Sequence, residues 1–143
     1  MVALPPHYRL TDDPSQIDAA AAHAFLTTSY WSPGIPLETV LRAIAGSFCV
    51  AIRHQDQQVA FARVITDYAT FAYLADVYVL DGHRNLGLSH AMLNHLHGHA
   101  LLQGLRRWAL FTQDAQGLYT QHGWSQYPYP ERMMTRDFLD VYA

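Results

Sequence analysis

The sequence lacks the features that mark secreted, membrane-spanning and disordered chains. Its one cysteine, Cys49, cannot form an internal disulfide and lies in the apolar run FCVAI, which predicts a buried strand residue rather than a nucleophile. The N-terminal stretch MVALPPHYRL does not resemble a signal peptide, and no apolar run approaches the ~20 residues of a membrane helix. Only 15% of the residues are charged and 50% are hydrophobic, so disorder is not expected. We therefore predict one soluble, cytoplasmic domain spanning residues 1–143.

Basic residues are also scarce. The net charge is -3, and the only concentrated basic pair, Arg106–Arg107, is typical of a solvated turn. A general nucleic-acid-binding protein would carry a basic excess on at least one segment. We therefore expect neither nucleic acid nor a membrane as a partner.

Histidine, in contrast, is abundant, with nine residues. His95 and His99 are four residues apart, a spacing that places two metal ligands on one face of a helix. No CxxC, HExxH or acidic partner motif accompanies them. We interpret these histidines as a polar helix surface that becomes charged below pH ~6.5, and we predict no metal site.

The first half of the chain predicts a strand, two helices and three more strands. YRLTDD forms the first strand, and residues 15–29 form an alanine-rich helix with Ser15 as its N-cap. YWSPGIP breaks the chain, and Pro36 suits the first turn of a second helix, LETVLRAIAG, which Gly46 closes. The short turns that follow predict antiparallel hairpins between the strands SFCVAIRH, QVAFARVITD and TFAYLADVYVL.

The second half predicts a crossover. The stretch VYVLDGHRNLGLSHAML (residues 77–93) runs from a strand through a turn into a helix that we expect to reach about Leu102. A strand (RRWALFT), a short helix (DAQGLYTQHG) capped by Asp114 and an irregular strand pair (WSQYPYPERMMTRDF) follow. The strand–helix–strand unit from Val77 to Thr112 implies a right-handed parallel crossover. The expected fold is α/β (α+β), with a mixed, mostly antiparallel sheet of six to seven strands and about four helices.

Two short motifs carry a family resemblance. The residues from Arg84 to Ser89 match the pattern R/Q-x-x-G-x-G/A, and LYTQHGW (residues 118–124) matches L-Y-x-x-x-G-F. Together with the order of elements, they resemble the GNAT superfamily of acyl-CoA-dependent N-acyltransferases over nearly the whole chain. Asn85 and Ser89 depart from the usual small residues, and Thr112 lies at a spacing where the family often has an asparagine.

The resemblance implies a site for acetyl-CoA (coenzyme A). A helix N-terminus offers unpaired N–H groups and a partial positive charge, and the family uses these groups to hold the pyrophosphate. In the family, the preceding strand bulges away from its parallel neighbour, and its main chain pairs with the pantetheine arm. The residues expected to bind the cofactor are Val77, Tyr78, Val79, Arg84, Asn85, Leu86, Gly87, Leu88, Ser89, His90 and Thr112.

The resemblance also implies acyl transfer by direct attack of an amine in a ternary complex. Tyr119 matches a tyrosine that acts as general acid in many members, and a phenol pKa near ~10 suits donation to a thiolate of pKa ~8.5. Asp76, the only acid between Thr70 and Leu80, is the candidate base. The alternatives stay open: Asp76 accepts a hydrogen bond from Arg63 on the neighbouring strand or faces solvent, and a water chain serves as the base.

The acceptor wall is expected among aromatic residues on loops beside proline and glycine. Packing against the core edge is the alternative for these residues, which are Tyr30, Trp31, Tyr127 and Tyr129. No acidic cluster indicates a polyamine or a basic peptide, so the expected partner is a primary amine of a small molecule or peptide. The sequence is also compatible with a homodimer.

Two rival functions were weighed. The departures at Asn85, Ser89 and Thr112 are compatible with a non-catalytic acyl-CoA-binding regulatory module on the same fold. A dinucleotide-binding domain would need the pattern G-x-G-x-x-G, whose glycines the chain lacks. We therefore expect an N-acetyltransferase.

Overall fold

The structure, a computed structural model, describes residues 3–143 and contains one mixed sheet with helices on both faces. The strands are β1 (Tyr8–Thr11), β2 (Phe48–His54), β3 (Gln57–Thr66), β4 (Phe71–Val79) and β5 (Arg107–Ala109). The helices are α1 (Ala19–Leu26), α2 (Leu37–Ala45), α3 (Leu88–Gly98) and α4 (Gln116–Thr120), with 3₁₀ turns at Pro14–Gln16, Ala100–Leu102 and Pro130–Arg132. The sheet order is β1-β2-β3-β4-β5, antiparallel except for the parallel pair β4–β5.

This architecture confirms the mixed fold, the single parallel crossover and the four helices. We expected six to seven strands, but the structure contains five within residues 3–143. The difference lies in residues 124–138, all described, which contain only a 3₁₀ turn where we expected a strand pair. Pro128 and Pro130 explain it, because proline has no N–H to donate to a β-ladder.

The first helix begins later than the sequence predicts. Asp18, not Ser15, is its N-cap, and the Asp18 side chain accepts a hydrogen bond from the Ala21 amide. The buried amide side chain of Gln58 on β3 fixes this position by binding both the backbone N–H and the carbonyl of Asp18, at 2.9 and 3.1 Å. A contact between residues 40 positions apart therefore overrides the local preference at Ser15.

The predicted cap of the short fourth helix is also wrong. Asp114 does not cap α4, since Ala115 is the N-cap residue and donates its backbone N–H to the Thr112 hydroxyl at 3.0 Å. The second helix, in contrast, begins after Pro36 and ends at Gly46, as expected.

Two apolar cores flank the sheet, because β2 and β3 are buried on both faces. One core packs α3 against the strands, and the other packs α1 and α2 against the opposite face. Cys49 lies in the second core, as predicted, and burial raises the pKa of its thiol to about 12. The sheet is thus held rigidly from both sides.

The fourth strand departs from regular geometry on both edges. Phe61 pairs with Tyr78 and Arg63 with Ala75, so Asp76 and Val77 together stand opposite one residue of β3, and Asp76 has φ 57°. On the other edge, pairing with β5 covers only Phe71–Tyr73. Within residues 3–143, the β4 edge facing β5 therefore has no ladder partner beyond Tyr73.

Candidate functional site

A cleft opens where β4 and β5 separate, and its volume is about 1180 Å³. A typical small-molecule pocket measures roughly 300–1,000 Å³, so this cleft has room for more than one such ligand. One end, called the cofactor end here, contains most of the predicted cofactor residues: Val77, Tyr78, Val79, Arg84, Asn85, Gly87, Leu88, Ser89, His90 and Thr112. The other end, called the acceptor end, is lined by Phe25, Tyr30, Trp31, Arg63, Tyr73, Asp76 and Phe111. Leu86, also predicted to bind cofactor, is not part of the lining.

The cofactor end is built around the start of α3. Gly87 is the N-cap with φ 80° and has no side chain that could accept from the first-turn amides, so these N–H groups can donate to a ligand. Asn85 also adopts a left-handed conformation, with φ 62°. Asparagine tolerates this region better than most residues, which explains how it replaces a glycine here.

Arg84 is folded back onto its own loop. Its Nε donates to the Val79 carbonyl at 3.1 Å, and its guanidinium forms an exposed ion pair with Asp81 at 2.8 Å. An exposed pair of this kind contributes little stability. The backbone amides of α3 are therefore the main donors that the loop offers to an anion.

Tyr119 lies on α4, lines the cleft and is 8% exposed. Burial raises the pKa of its phenol to about 12, with further contributions from Tyr30 and Asp114. The hydroxyl is therefore protonated at neutral pH and can act as a proton donor.

The single acid of β4 is held in a hydrogen-bond network. Asp76 Oδ2 accepts from Arg63 Nε at 2.8 Å, and Asp76 Oδ1 accepts from Trp31 Nε1 at 2.9 Å. Arg63 also donates to the Ser47 hydroxyl at 3.1 Å. Of the roles considered for Asp76, the geometry matches the ion pair with Arg63.

The four aromatic residues predicted for the acceptor wall separate into two pairs. Tyr30 and Trp31 line the cleft, and the Tyr30 hydroxyl accepts from the Gln113 amide at 3.2 Å. Tyr127 and Tyr129 are not part of the lining, and their rings lie beside the guanidinium groups of Arg107 and Arg132. The sequence analysis missed Tyr73, Phe111 and the C-terminal residues Thr135, Asp137 and Leu139, which also line the cleft.

Two histidine contacts connect α3 to the segment that follows α4. His90 Nδ1 and His122 Nε2 are 2.7 Å apart, which joins α3 to the turn after α4. Trp124 Nε1 donates to His97 Nε2 at 3.0 Å. Desolvation lowers the pKa of both His97 and His122, and each also lies near another histidine. No sequence pattern pointed to these contacts.

A third histidine cluster lies outside the cleft. Potential ligand atoms of Asp12, His95 and His99 lie within 4.8 Å of one another. His99 Nδ1 accepts from the Leu101 amide at 3.1 Å, so in a neutral ring its Nε2 carries the proton and faces Asp12 Oδ2 at 3.3 Å. Hydrogen bonds therefore account for the cluster.

Among the helices described, none combines the length and the apolar character needed to cross a membrane.

Comparison with known proteins places this geometry in a family. The sequence model of the "Acetyltransferase (GNAT) domain" matches residues 45–126. A curated relative from Gibberella zeae, named "Putative acetyltransferase FG08082", is 30% identical, and the match covers 78% of this chain and 75% of the relative.

Similar solved structures lead to the same family. A GNAT family protein from Xanthomonas campestris pv. campestris is 44% identical, with a TM-score of 0.92 over 96% of this chain and 98% of that chain. A predicted acetyltransferase from Clostridium acetobutylicum, whose crystal structure was determined with acetyl-CoA, is 16% identical and shares the fold, with a TM-score of 0.68 over 95% of this chain and 98% of that chain. The chain belongs to the GNAT acetyltransferase family.

Proposed function

We propose that the protein transfers an acetyl group from acetyl-CoA to a primary amine of a small molecule or peptide. The observation that carries the proposal is one cleft that combines the open edge of β4, the uncapped N-terminus of α3 and a protonated Tyr119. The proposal treats residues 1–143 as a single acetyltransferase domain.

The cofactor end fits the two chemical parts of coenzyme A that need polar partners. The first-turn amides of α3 and the positive end of its dipole suit a pyrophosphate. The edge of β4 beyond its pairing with β5, which includes Val77, suits an extended, amide-containing arm. When bound, acetyl-CoA supplies the acetyl group as an activated thioester.

Tyr119 is proposed as the general acid. Its phenol keeps its proton because burial opposes formation of the phenolate. It therefore stays available to donate a hydrogen bond to the sulfur as the C–S bond breaks. Because its pKa of about 12 lies above the ~8.5 of a thiol, full proton transfer is uphill, and the phenol acts chiefly by stabilising the developing thiolate. Acetyl transfer then proceeds by direct attack of the amine, with no covalent intermediate on the protein. The high pKa and burial of Cys49 support the absence of such an intermediate.

Asp76 is proposed to position the acceptor rather than to remove its proton. Both of its oxygens already accept strong hydrogen bonds, from Arg63 and from Trp31. The attacking amine is then deprotonated through water. Asp76 in this role keeps Trp31 at the wall of the acceptor end.

A thiol-release assay with acetyl-CoA tests the proposal. The amine panel comprises amino acids, polyamines, aminoglycosides, arylalkylamines and peptide N-termini, and thermal shifts with acetyl-CoA are measured in parallel. The sequence contains no lysine, so acetylation of the protein's own side-chain amines adds no background. We expect a thermal shift and CoA release with at least one amine. A thermal shift without release from any amine would favour a non-catalytic acyl-CoA-binding module.

A further inference from the structure

We infer that the acceptor is an amine attached to an aromatic ring and lacking a carboxylate. The inference rests on the proposed function, and it concerns the acceptor end of the cleft.

The acceptor end has two aromatic groups. The first lies on α1 and the loop after it, where the ring of Trp31 lies 6.0 Å from that of Phe25 and 5.0 Å from that of Tyr30. The second consists of Tyr73 on β4 and Phe111 after β5, with ring centroids 6.0 Å apart. Rings of this kind bind another flat ring through stacked and edge contacts.

The Arg63–Asp76 pair is linked to both groups. Asp76 binds Trp31 of the first group, and Asp76 and Arg63 both influence the titration of Tyr73 in the second. A backbone contact closes the other side, because the Gln113 amide, two residues after Phe111, donates to the Tyr30 hydroxyl. The two groups therefore enclose one space rather than two separate surfaces.

The accessible surface of these rings is larger than core packing would leave. Phe111 is 65% exposed, Tyr30 54% and Trp31 39%, and all three line the same concavity. Single exposed apolar side chains need no explanation, but a concave group of them is typical of a ligand site. Leu139 of the C-terminal segment adds an apolar contact at the same cleft.

The charges at this cleft disfavour an acidic acceptor. Arg63 and Asp76 neutralise each other at 2.8 Å. Asp114 and Asp137 also line the cleft, and neither forms a salt bridge within residues 3–143. The remaining guanidinium of the lining, Arg84, is paired with Asp81. The carboxylate charges left over in the cleft therefore disfavour a carboxylate on the acceptor more than an amine.

Three test amines distinguish the contributions of the aromatic ring and of the missing carboxylate to acceptor recognition. Phenethylamine carries a ring and an amine, L-phenylalanine adds a carboxylate to the same frame, and putrescine has amines without a ring. We expect kcat/KM for phenethylamine to exceed that of each other amine by at least about tenfold. Equal or higher values for putrescine or L-phenylalanine would overturn the inference while leaving acetyl transfer intact.

Variants at Phe111 test whether this side chain contacts the aromatic ring of the acceptor. Its exposure makes misfolding of Phe111→Ala unlikely to confound the result, and this variant is expected to raise KM for phenethylamine about tenfold. Phe111→Tyr keeps the ring, so its KM for phenethylamine should rise less than that of Phe111→Ala. Leu101→Ala, which removes a side chain 56% exposed and outside the cleft lining, is the matched control. An unchanged KM in Phe111→Ala would contradict the assignment of this wall.

Direct binding measurements distinguish a failure of the proposed acetyl transfer from a failure of the proposed aromatic acceptor site. Calorimetry with phenethylamine and with putrescine, in the presence and absence of CoA, measures acceptor recognition without turnover. If no amine releases CoA, the proposed activity fails, but preferential binding of phenethylamine would still support the aromatic site. Binding of putrescine as tight as that of phenethylamine would refute the site even in an active enzyme.

Discussion

We propose that the two ends of the cleft recognise their ligands by different means. At the cofactor end the donors belong to the main chain, at the start of α3 and along the open edge of β4. At the acceptor end the contacts come from side chains, on the loop after α1, on β4 and after β5. Main-chain donors are almost independent of residue type, so the cofactor end tolerates departures such as Ser89. The acceptor end depends on which side chains are present.

Tyr119 also lines the cleft, and its loss should have the largest effect. Tyr119→Phe removes the proton donor, so we expect kcat to fall by roughly 10²–10⁴-fold with little change in the Kd of acetyl-CoA. Steady-state kinetics and calorimetry measure the two quantities. Tyr68→Phe, which removes a hydroxyl from a tyrosine 47% exposed and outside the cleft lining, is the control.

The pH profile sharpens this assignment. Because the pKa of Tyr119 is raised to about 12, the phenol stays protonated through pH 10, and ionisation of Tyr119 should not reduce kcat in that range. A Tyr119→Phe enzyme as active as the wild type at every pH would remove the general acid from the mechanism.

Substitution of Gly87 is expected to impair the cofactor end of the cleft selectively. An added Cβ at φ 80° costs roughly 1–2 kcal/mol, and the loop can relieve this strain by leaving the left-handed region. That movement would displace the first-turn amides of α3, so Gly87→Ala should weaken acetyl-CoA binding by about 5–30-fold. Gly98→Ala at the other end of α3 is the matched control, because a Cβ there meets no atom within 4 Å. Calorimetric Kd values that are equal in the two variants would argue against pyrophosphate binding at this helix start.

Substitution of Asp76 is expected to impair the acceptor end of the cleft selectively. Asp76→Asn removes the charge that holds Arg63, so we expect KM for the amine to rise roughly tenfold and the Kd of acetyl-CoA to stay constant. The shape of the kcat–pH profile should not change. If the decrease of kcat at acidic pH were lost in this variant, the result would instead identify Asp76 as the base.

The smallest effect concerns stability. The pKa values of His97 and His122 are lowered in the folded state, so the unfolded chain takes up protons first as the pH falls. Stability is therefore complete above the unfolded pKa of ~6.5 and decreases as the pH falls below it, with a drop in Tm of the order of a few degrees by pH 5.

His97→Gln tests the cause of that decrease. Protonation of His97 would place an N–H against the Trp124 N–H, and the glutamine variant has no such titration. Calorimetric Tm values from pH 5 to 8 should vary less in this variant than in the wild type. His23→Gln on α1 should retain the full dependence.

More of the residues proposed for the cofactor than of those proposed for the acceptor line the cleft, for a physical reason. A strand, a turn and a helix start are contiguous, so the loop from Arg84 to Ser89 carries its own geometry. Phe111 and Leu139 reach the cleft only through tertiary packing, and no local pattern places them there. The same holds for Gln58, whose contact with Asp18 moved the start of α1.

Turn chemistry explains the remaining differences. The prolines after Trp124 signalled that the last strands would be irregular, and their missing N–H groups were decisive. Family resemblance named Tyr119, but the pairing of His90 with His122 depends on two segments 32 residues apart. Contacts of that range are not visible in a single sequence.

The aromatic wall has one consequence for engineering. Trp31, Phe111 and Leu139 lie on segments that form no part of the β-ladder, while the sheet is packed from both faces. A combinatorial library at these three positions should therefore consist largely of folded proteins. Such a library could be screened directly for new acceptor preferences, because these three side chains lie outside the ladder that holds the sheet together.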